Sequence, residues 1–242
     1  MKKLIITCII FTMSLSVNAQ SWWNSKKVRG NGNVTTETRR TSDYEGVSFG
    51  GSFDVKLVKG KEGRITIKGE ENLLKYIETE VKRGVLKIKV KKGVNLRMTR
   101  KMVVTVPYQD LEKVSLSGSG DLTSNGTIKA DSFSLSVAGS GNMRLDVEAN
   151  SIKSNIAGSG NIKLSGSADA LTCNVAGSGD INAYELKTKT TSAKIAGSGN
   201  IKTSVSDKIS AKVVGSGNIY YKGSPDKIES KALGSGSIIS RN

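Results

Sequence analysis

Residues 152–162 read Ile152-Lys153-Ser154-Asn155-Ile156-Ala157-Gly158-Ser159-Gly160-Asn161-Ile162. The pattern returns as Leu171-Thr172-Cys173-Asn174-Val175-Ala176-Gly177-Ser178-Gly179-Asp180-Ile181. Apolar or small residues alternate with polar ones, and then come Gly-Ser-Gly, an Asn or Asp, and an apolar residue. Alternation with a period of two marks a strand with one buried face. A helix would space its apolar residues by about 3.6 and would be broken by two glycines per unit. Working outward, Gly-Ser-Gly occurs seven times, with first glycines at 118, 139, 158, 177, 197, 215 and 234. One unit therefore spans about 19 residues.

A unit of that size cannot bury its own apolar face. Stacked on its neighbours it can, so the sequence predicts an all-β parallel β-helix, or solenoid. Rungs about 4.8 Å apart give the seven units a rise of roughly 30 Å. The middle inward slot is Val114, Leu135, Ser154, Cys173, Ala193, Ala211 and Ser230 in turn. It shrinks along the chain, which predicts a solenoid that narrows or flattens toward its C-terminal end. Cys173 in such a slot reads as a small buried hydrophobe rather than a reactive thiol. The residue after each second glycine is Asp121, Asn142, Asn161, Asp180, Asn200, Asn218 or Ser237. In register these would form a side-chain ladder along the axis. Only Ser237–Asn242 follow the last corner, so the final coil is expected to fray, self-associate or dock elsewhere.

The first residues read as an export signal. Met1-Lys2-Lys3 is basic, Leu4 to Val17 is largely apolar, and Val17-Asn18-Ala19 predicts cleavage after Ala19. Cys8 leaves with the signal, Cys173 stays without a disulfide partner, and no membrane-spanning segment follows. Residues 20–41, with Trp22-Trp23, read as a polar arm that is flexible or partly docked. Residues 42–110 read as less regular coils that cap the solenoid, with Gly50-Gly51 as an early corner and one helical turn at Glu71–Tyr76. The regular repeats fill 111–242, and 42–242 reads as one continuous domain.

Composition excludes several functions. With 37 basic and 21 acidic side chains the formal charge is +16, and no histidine is present. That removes Ser-His-Asp and Cys-His catalysis and any imidazole metal site. Aromatic residues are 5%, too few to interleave a base-stacking groove, so nucleic acid is not an expected partner. β-Helices that cleave glycosidic bonds need two carboxyls about 5–9.5 Å apart. The ladder acids Asp121 and Asp180 sit three rungs apart, roughly 14 Å. Other acids are scattered singly, and no cofactor or metal site is expected.

Charge is concentrated N-terminally. Residues 20–110 carry 20 basic and 10 acidic side chains, and Lys82–Lys101 contains nine basic residues and no acid. Lys87, Lys89 and Lys91 alternate with Leu86, Ile88 and Val90, so they face one way. Lys194, Lys212 and Lys231 form a second stripe, one coil apart. The plain reading of both is a solvated face that keeps a sheet from aggregating. The functional one is a site for anionic glycans or other acidic envelope polymers.

Together, Val28-Arg29-Gly30-Asn31-Gly32-Asn33-Val34, Arg39-Arg40, Phe49-Gly50-Gly51-Ser52-Phe53-Asp54-Val55, the Gly-Ser-Gly-Asn-Ile series and Tyr221-Lys222-Gly223-Ser224-Pro225 resemble one secreted bacterial family, described as putative auto-transporter adhesin, head GIN domain. The resemblance covers roughly 28–238. It implies a right-handed β-helix, export to the cell envelope and, from the family's name, adhesion. It carries no catalytic residues. Nothing after the solenoid resembles a membrane barrel. The sequence thus points to a non-enzymatic module located in the periplasm, on the outer-membrane surface or outside the cell. The alternatives are a polysaccharide lyase or hydrolase and a self-assembling structural protein that associates through its C-terminal coil.

Overall fold

The computed structural model describes residues 25–241, so the signal, Ala19 and the Trp22-Trp23 pair lie outside the described residues. Eighteen strands and one helical turn follow in order. They are β1 (Lys26–Arg29), β2 (Val34–Arg40), β3 (Gly46–Gly51), β4 (Asp54–Lys59), β5 (Arg64–Glu70), α1 (Glu71–Leu74), β6 (Ile77–Lys82), β7 (Val85–Val90), β8 (Val94–Arg97) and β9 (Val103–Tyr108). The repeats give β10 (Lys113–Gly118), β11 (Asp121–Gly139), β12 (Asn142–Gly158), β13 (Asn161–Gly177), β14 (Ile181–Gly197), β15 (Ile201–Gly215), β16 (Ile219–Lys222), β17 (Lys227–Leu233) and β18 (Ile238–Ser240). From β10 onward every neighbouring pair is parallel. This is a parallel β-solenoid of about 7 turns.

Each strand from β11 to β15 is one coil, running from just after one corner to the next. In one turn, 151–157 form a first wall, the Gly-Ser-Gly corner follows, 161–164 form a second wall and 166–169 a third. Equivalent residues stack directly, for example Ile152 on Leu171 and Ile156 on Val175. Their inward side chains are buried in one continuous core. The corner tolerates only glycine because successive corners nearly touch. Gly158 sits at φ +127°, and a Cβ there would lie 2.5 Å from the carbonyl oxygen of Gly139 below it.

The ladder expected beside the corner forms. Asn142 donates to Asp121 (2.8 Å), Asn161 to Asn142 (2.9 Å) and Asn200 to Asp180 (3.0 Å). It also reaches one rung lower, because the backbone N–H of Asp121 donates to Asp54 at 3.2 Å. Inside, Val114, Leu135, Ser154, Cys173, Ala193 and Ala211 are all buried, and burial pushes the Cys173 thiol up to about 12. Two hydroxyl solutions occur in this interior. Thr188, Thr191 and Thr203 bond one another at 2.8 and 3.2 Å, whereas the Ser154 hydroxyl has no partner among the described residues.

The N-terminal coils do not stack in chain order. β3 and β4, joined by the Gly50-Gly51 corner, form a coil whose upper neighbours are β10 and β11. Its lower neighbours are β7 and β9, which come later in the chain. After β4 the chain therefore travels to the end of the stack, builds the closure from residues 60–108, and returns above β3 as β10. The helical turn falls on Glu71–Leu74, and Leu73, Leu74, Ile77 and Tyr44 are buried beneath this closure. The segment read as an arm is docked through two strands. β2 pairs antiparallel with β5, and β1 pairs with β8.

One side chain ties these pieces together. Glu70 is fully buried and accepts four hydrogen bonds: from Gly32 N–H (2.8 Å), Thr99 N–H (2.8 Å), Thr99 Oγ1 (2.6 Å) and Arg100 N–H (3.2 Å). Burial alone would raise its pKa, but these bonds outweigh it and hold the carboxyl at about 2. Gly30 explains why the chain can pass so close, since a Cβ there would meet the Glu70 carboxyl at 2.1 Å.

Candidate functional site

The outward residues of the first wall form one register column running the length of the stack. From the closed end it reads Lys87, Ser48, Ser115, Ser136, Asn155, Asn174, Lys194, Lys212 and Lys231. The two lysine stripes of the sequence thus share a face but not a site. Six rungs, roughly 29 Å, separate Lys87 from Lys194. Between them the column is neutral and bonded to itself, Ser136 to Ser115 at 3.1 Å and Asn174 to Asn155 at 3.0 Å.

The two ends differ electrostatically. β6 lies antiparallel to β7 and sets Glu80 opposite Lys87 and Glu78 opposite Lys89. Glu78 pairs with Lys89 at 3.5 Å, and Glu80 pairs with Lys82 at 2.8 Å. A window beginning at Lys82 hides these acids, because they precede it in the chain and return to it only through the hairpin. Lys91 lies just past the end of β7 and is exposed. At the other end Lys194, Lys212 and Lys231 are exposed on three consecutive rungs, and none joins an ion pair among the described residues. Beside them runs a second outward column, Ala138, Ala157, Ala176, Ala196, Val214 and Leu233. The two columns border a shallow trough of about 520 Å³ that includes Asn174, Lys194 and Lys212.

Two further surfaces run along the second wall and along the seam between third and first walls. On the second wall, Lys56, Thr123, Arg144, Lys163, Asn182 and Lys202 stack in one column. All but Lys56 join the Asn/Asp ladder in lining a hollow of about 470 Å³. Lys163 there is paired with Glu185 at 2.6 Å. The sequence signal for this column was available, since Thr123, Arg144, Lys163, Asn182 and Lys202 each sit five residues after the first glycine of a corner and Lys56 sits five after Gly51. The larger hollow, about 1440 Å³, follows the seam between third and first walls from Asp110 to Ser224. It gathers acids that look scattered in the sequence, Asp131, Glu148 and Asp169 among them. They are partnered along the seam. Lys129 meets Glu148 at 2.8 Å, Lys189 meets Asp169 at 2.8 Å, and Asn150 donates to Asp131 at 3.2 Å.

No helix among the described residues is long and apolar enough to cross a membrane. The chain's fold recurs in solved bacterial structures. A crystal structure of a putative adhesin from Bacteroides fragilis NCTC 9343 superposes with a TM-score of 0.85 at 24% identity, covering 88% of this chain and 100% of that one. A putative lipid binding protein from Parabacteroides distasonis ATCC 8503 gives 0.75 at 31% identity, covering 90% and 100%. A putative adhesin from Parabacteroides merdae ATCC 43184 gives 0.70 at 25% identity, again covering 90% and 100%. No curated protein matches the sequence. Residues 43–225, from the closed end through the Gly-Ser-Gly coils, match the family profile described as Putative auto-transporter adhesin, head GIN domain, and the chain belongs to that family.

Proposed function

We propose that this protein is a non-enzymatic binding and adhesion module exported to the cell envelope, and that it holds an anionic polysaccharide along its first wall. The observation that carries this reading is the set Lys194, Lys212 and Lys231, stacked in register on consecutive coils without acidic partners among the described residues. Spaced about 4.8 Å per rung, three like charges form a short rail suited to a polymer bearing regularly spaced carboxylates or sulfates. The alanine and valine column alongside offers an apolar strip for sugar rings. Lys87 and Lys89 contribute less, because Glu78 and Glu80 lie across the hairpin and reduce their field.

The test is binding of the purified protein to uronate-rich and sulfated polysaccharides, with neutral dextran as control, over rising salt. The paired change Lys194→Glu and Lys212→Glu should weaken binding on the order of tenfold and flatten its salt dependence. The same reversal at Lys87 should do less. Unchanged binding in the Lys194/Lys212 variant overturns the assignment. Because one similar structure is described as a lipid binding protein, anionic lipid vesicles form a second arm, and clear preference for vesicles over polysaccharide would refute the glycan reading. Shortening of any polysaccharide during incubation would refute the non-enzymatic one.

A further inference from the structure

The two ends of the solenoid are unlike. The N-terminal end is closed by buried Tyr44, Leu73, Leu74 and Ile77. At the other end every residue of β17 is exposed, and among the described residues it pairs only with β15. Its inward-column residues are Ile228, Ser230 and Ala232, stacked on Ile209, Ala211 and Val213, all of which are buried. Ile228 and Leu233 are each 50% exposed. An uncovered strand edge with an apolar row beneath it is a template for another strand.

The backbone shows which groups that edge offers. In the first wall Ser134 donates its N–H back to Glu112 of the preceding coil at 2.8 Å. Ser134 shares its column, through Lys153, Thr172, Ser192 and Ser210, with Glu229. Residues alternate along a strand, so Lys227, Glu229 and Lys231 turn their backbone groups back to β15. Ile228, Ser230 and Ala232 turn theirs outward. An incoming strand must bond to those three.

We infer that β17 pairs antiparallel with β17 of a second copy about a twofold axis at Ser230, joining two solenoids through their C-terminal ends. The length of β17 and its outward charges together select this register, with Glu229 also meeting Lys208 at 3.0 Å and Lys227 at 3.2 Å within its own chain. Centred on Ser230, the pairing sets Ile228 against Ala232 of the other copy and Glu229 against its Lys231, twice by symmetry. Shifting the centre to Glu229 would oppose the two glutamates and set Lys227 against Lys231. Shifting it to Lys231 would oppose the two lysines. Centring on Ile228 would also join unlike charges, Lys227 to Glu229, but would set Ser230 to Leu233 against residues that precede β17; the Ser230 register pairs all seven residues of the strand and places its unlike charges at the non-hydrogen-bonded positions, where side chains approach most closely. About six main-chain hydrogen bonds would form. A twofold pairing uses both open ends and closes, so it yields dimers rather than fibres. It also brings two Lys194–Lys212 pairs onto one particle, Lys231 of each copy being taken up by the pairing, which strengthens attachment to a polymer by avidity without any new contact to the ligand. The pairing does not depend on what the lysines bind.

Sedimentation equilibrium of the full chain without its signal tests this. The expected result is a reversible monomer–dimer equilibrium. Glu229→Lys alone and Lys231→Glu alone should each weaken dimerisation by on the order of tenfold, since each turns two attractive pairs repulsive. The double exchange Glu229→Lys with Lys231→Glu should restore it. Ser230→Pro, which removes an outward N–H at the edge of the fold, should give a monomer with unchanged circular dichroism. A strict monomer at the highest soluble concentration, open-ended polymers, or a double exchange no better than the single changes would each overturn the inference.

Discussion

Glu70 is the place where one substitution should separate the closure from the stack. Its Oε1 accepts from Gly32 N–H and the Thr99 hydroxyl, and its Oε2 accepts from Thr99 N–H and Arg100 N–H. Glu70→Gln keeps the shape but must replace one oxygen with an amide NH₂. The least costly orientation sets that group toward Thr99 Oγ1, which can turn and accept, and leaves Gly32 N–H unpaired. One orphaned buried donor costs about 1–3 kcal/mol, and the remaining bonds lose their charge-assisted part, so the expected cost is about 2–3 kcal/mol. In a solenoid that cost is local. Native-state hydrogen exchange should show amides of β1, β2 and β8 opening roughly 30- to 150-fold more often, with β12 to β14 unchanged. The same carboxylate predicts a pH response. Its folded pKa of about 2 lies below the ordinary 4.5, so its stabilisation is complete above about pH 4.5 and fades as pH falls toward 2. The closure should loosen across that window in the wild type, and Glu70→Gln should lack this component. Equal protection of β1, β2 and β8 in both proteins, or an identical acid response, would refute the reasoning.

Two further outcomes follow from the interior and the corners. Ser154→Ala removes a buried hydroxyl with no partner and should raise the free energy of urea unfolding by about 1 kcal/mol; a loss of stability would show that a bound water satisfies it. Gly158→Ala should destabilise by about 3–5 kcal/mol, because it combines a forbidden φ with a backbone clash. Gly126→Ala, where φ is also positive but nothing lies within 4 Å, should cost clearly less in the same assay, and equal costs would remove the clash from the explanation.

The repeat was legible because each coil carries its own instructions. Alternation sets the walls, Gly-Ser-Gly sets the corners, and near-identical spacing sets the register, so the Asp121-to-Ser237 ladder follows from the repeat alone. What stayed hidden depends on contacts far apart in the chain. The inverted order of β3, β7 and β10 leaves no periodic trace. The Gly30-Asn31-Gly32-Asn33 stretch looks like a simple turn until Glu70 is seen filling the space above Gly30. The basic run from Lys82 to Lys101 holds more charge in the sequence, but the β6–β7 hairpin folds Glu78 and Glu80 against it. In the quieter column Lys194, Lys212 and Lys231 the acid beside Lys231, Glu229, is held instead by Lys208 and Lys227. Acids along the seam were spaced about one coil apart in sequence, and only stacking reveals that they come with partners.

The out-of-order closure gives assembly a direction. A chain released N-terminus first makes residues 60–108 before β10, so the closure can fold under β3 before the next coil settles on top. From then on each new segment meets a finished template and needs only to copy the register below it. Loss of C-terminal coils should therefore leave a shorter but intact tower, whereas damage within 60–108 removes the foundation on which every later storey is aligned.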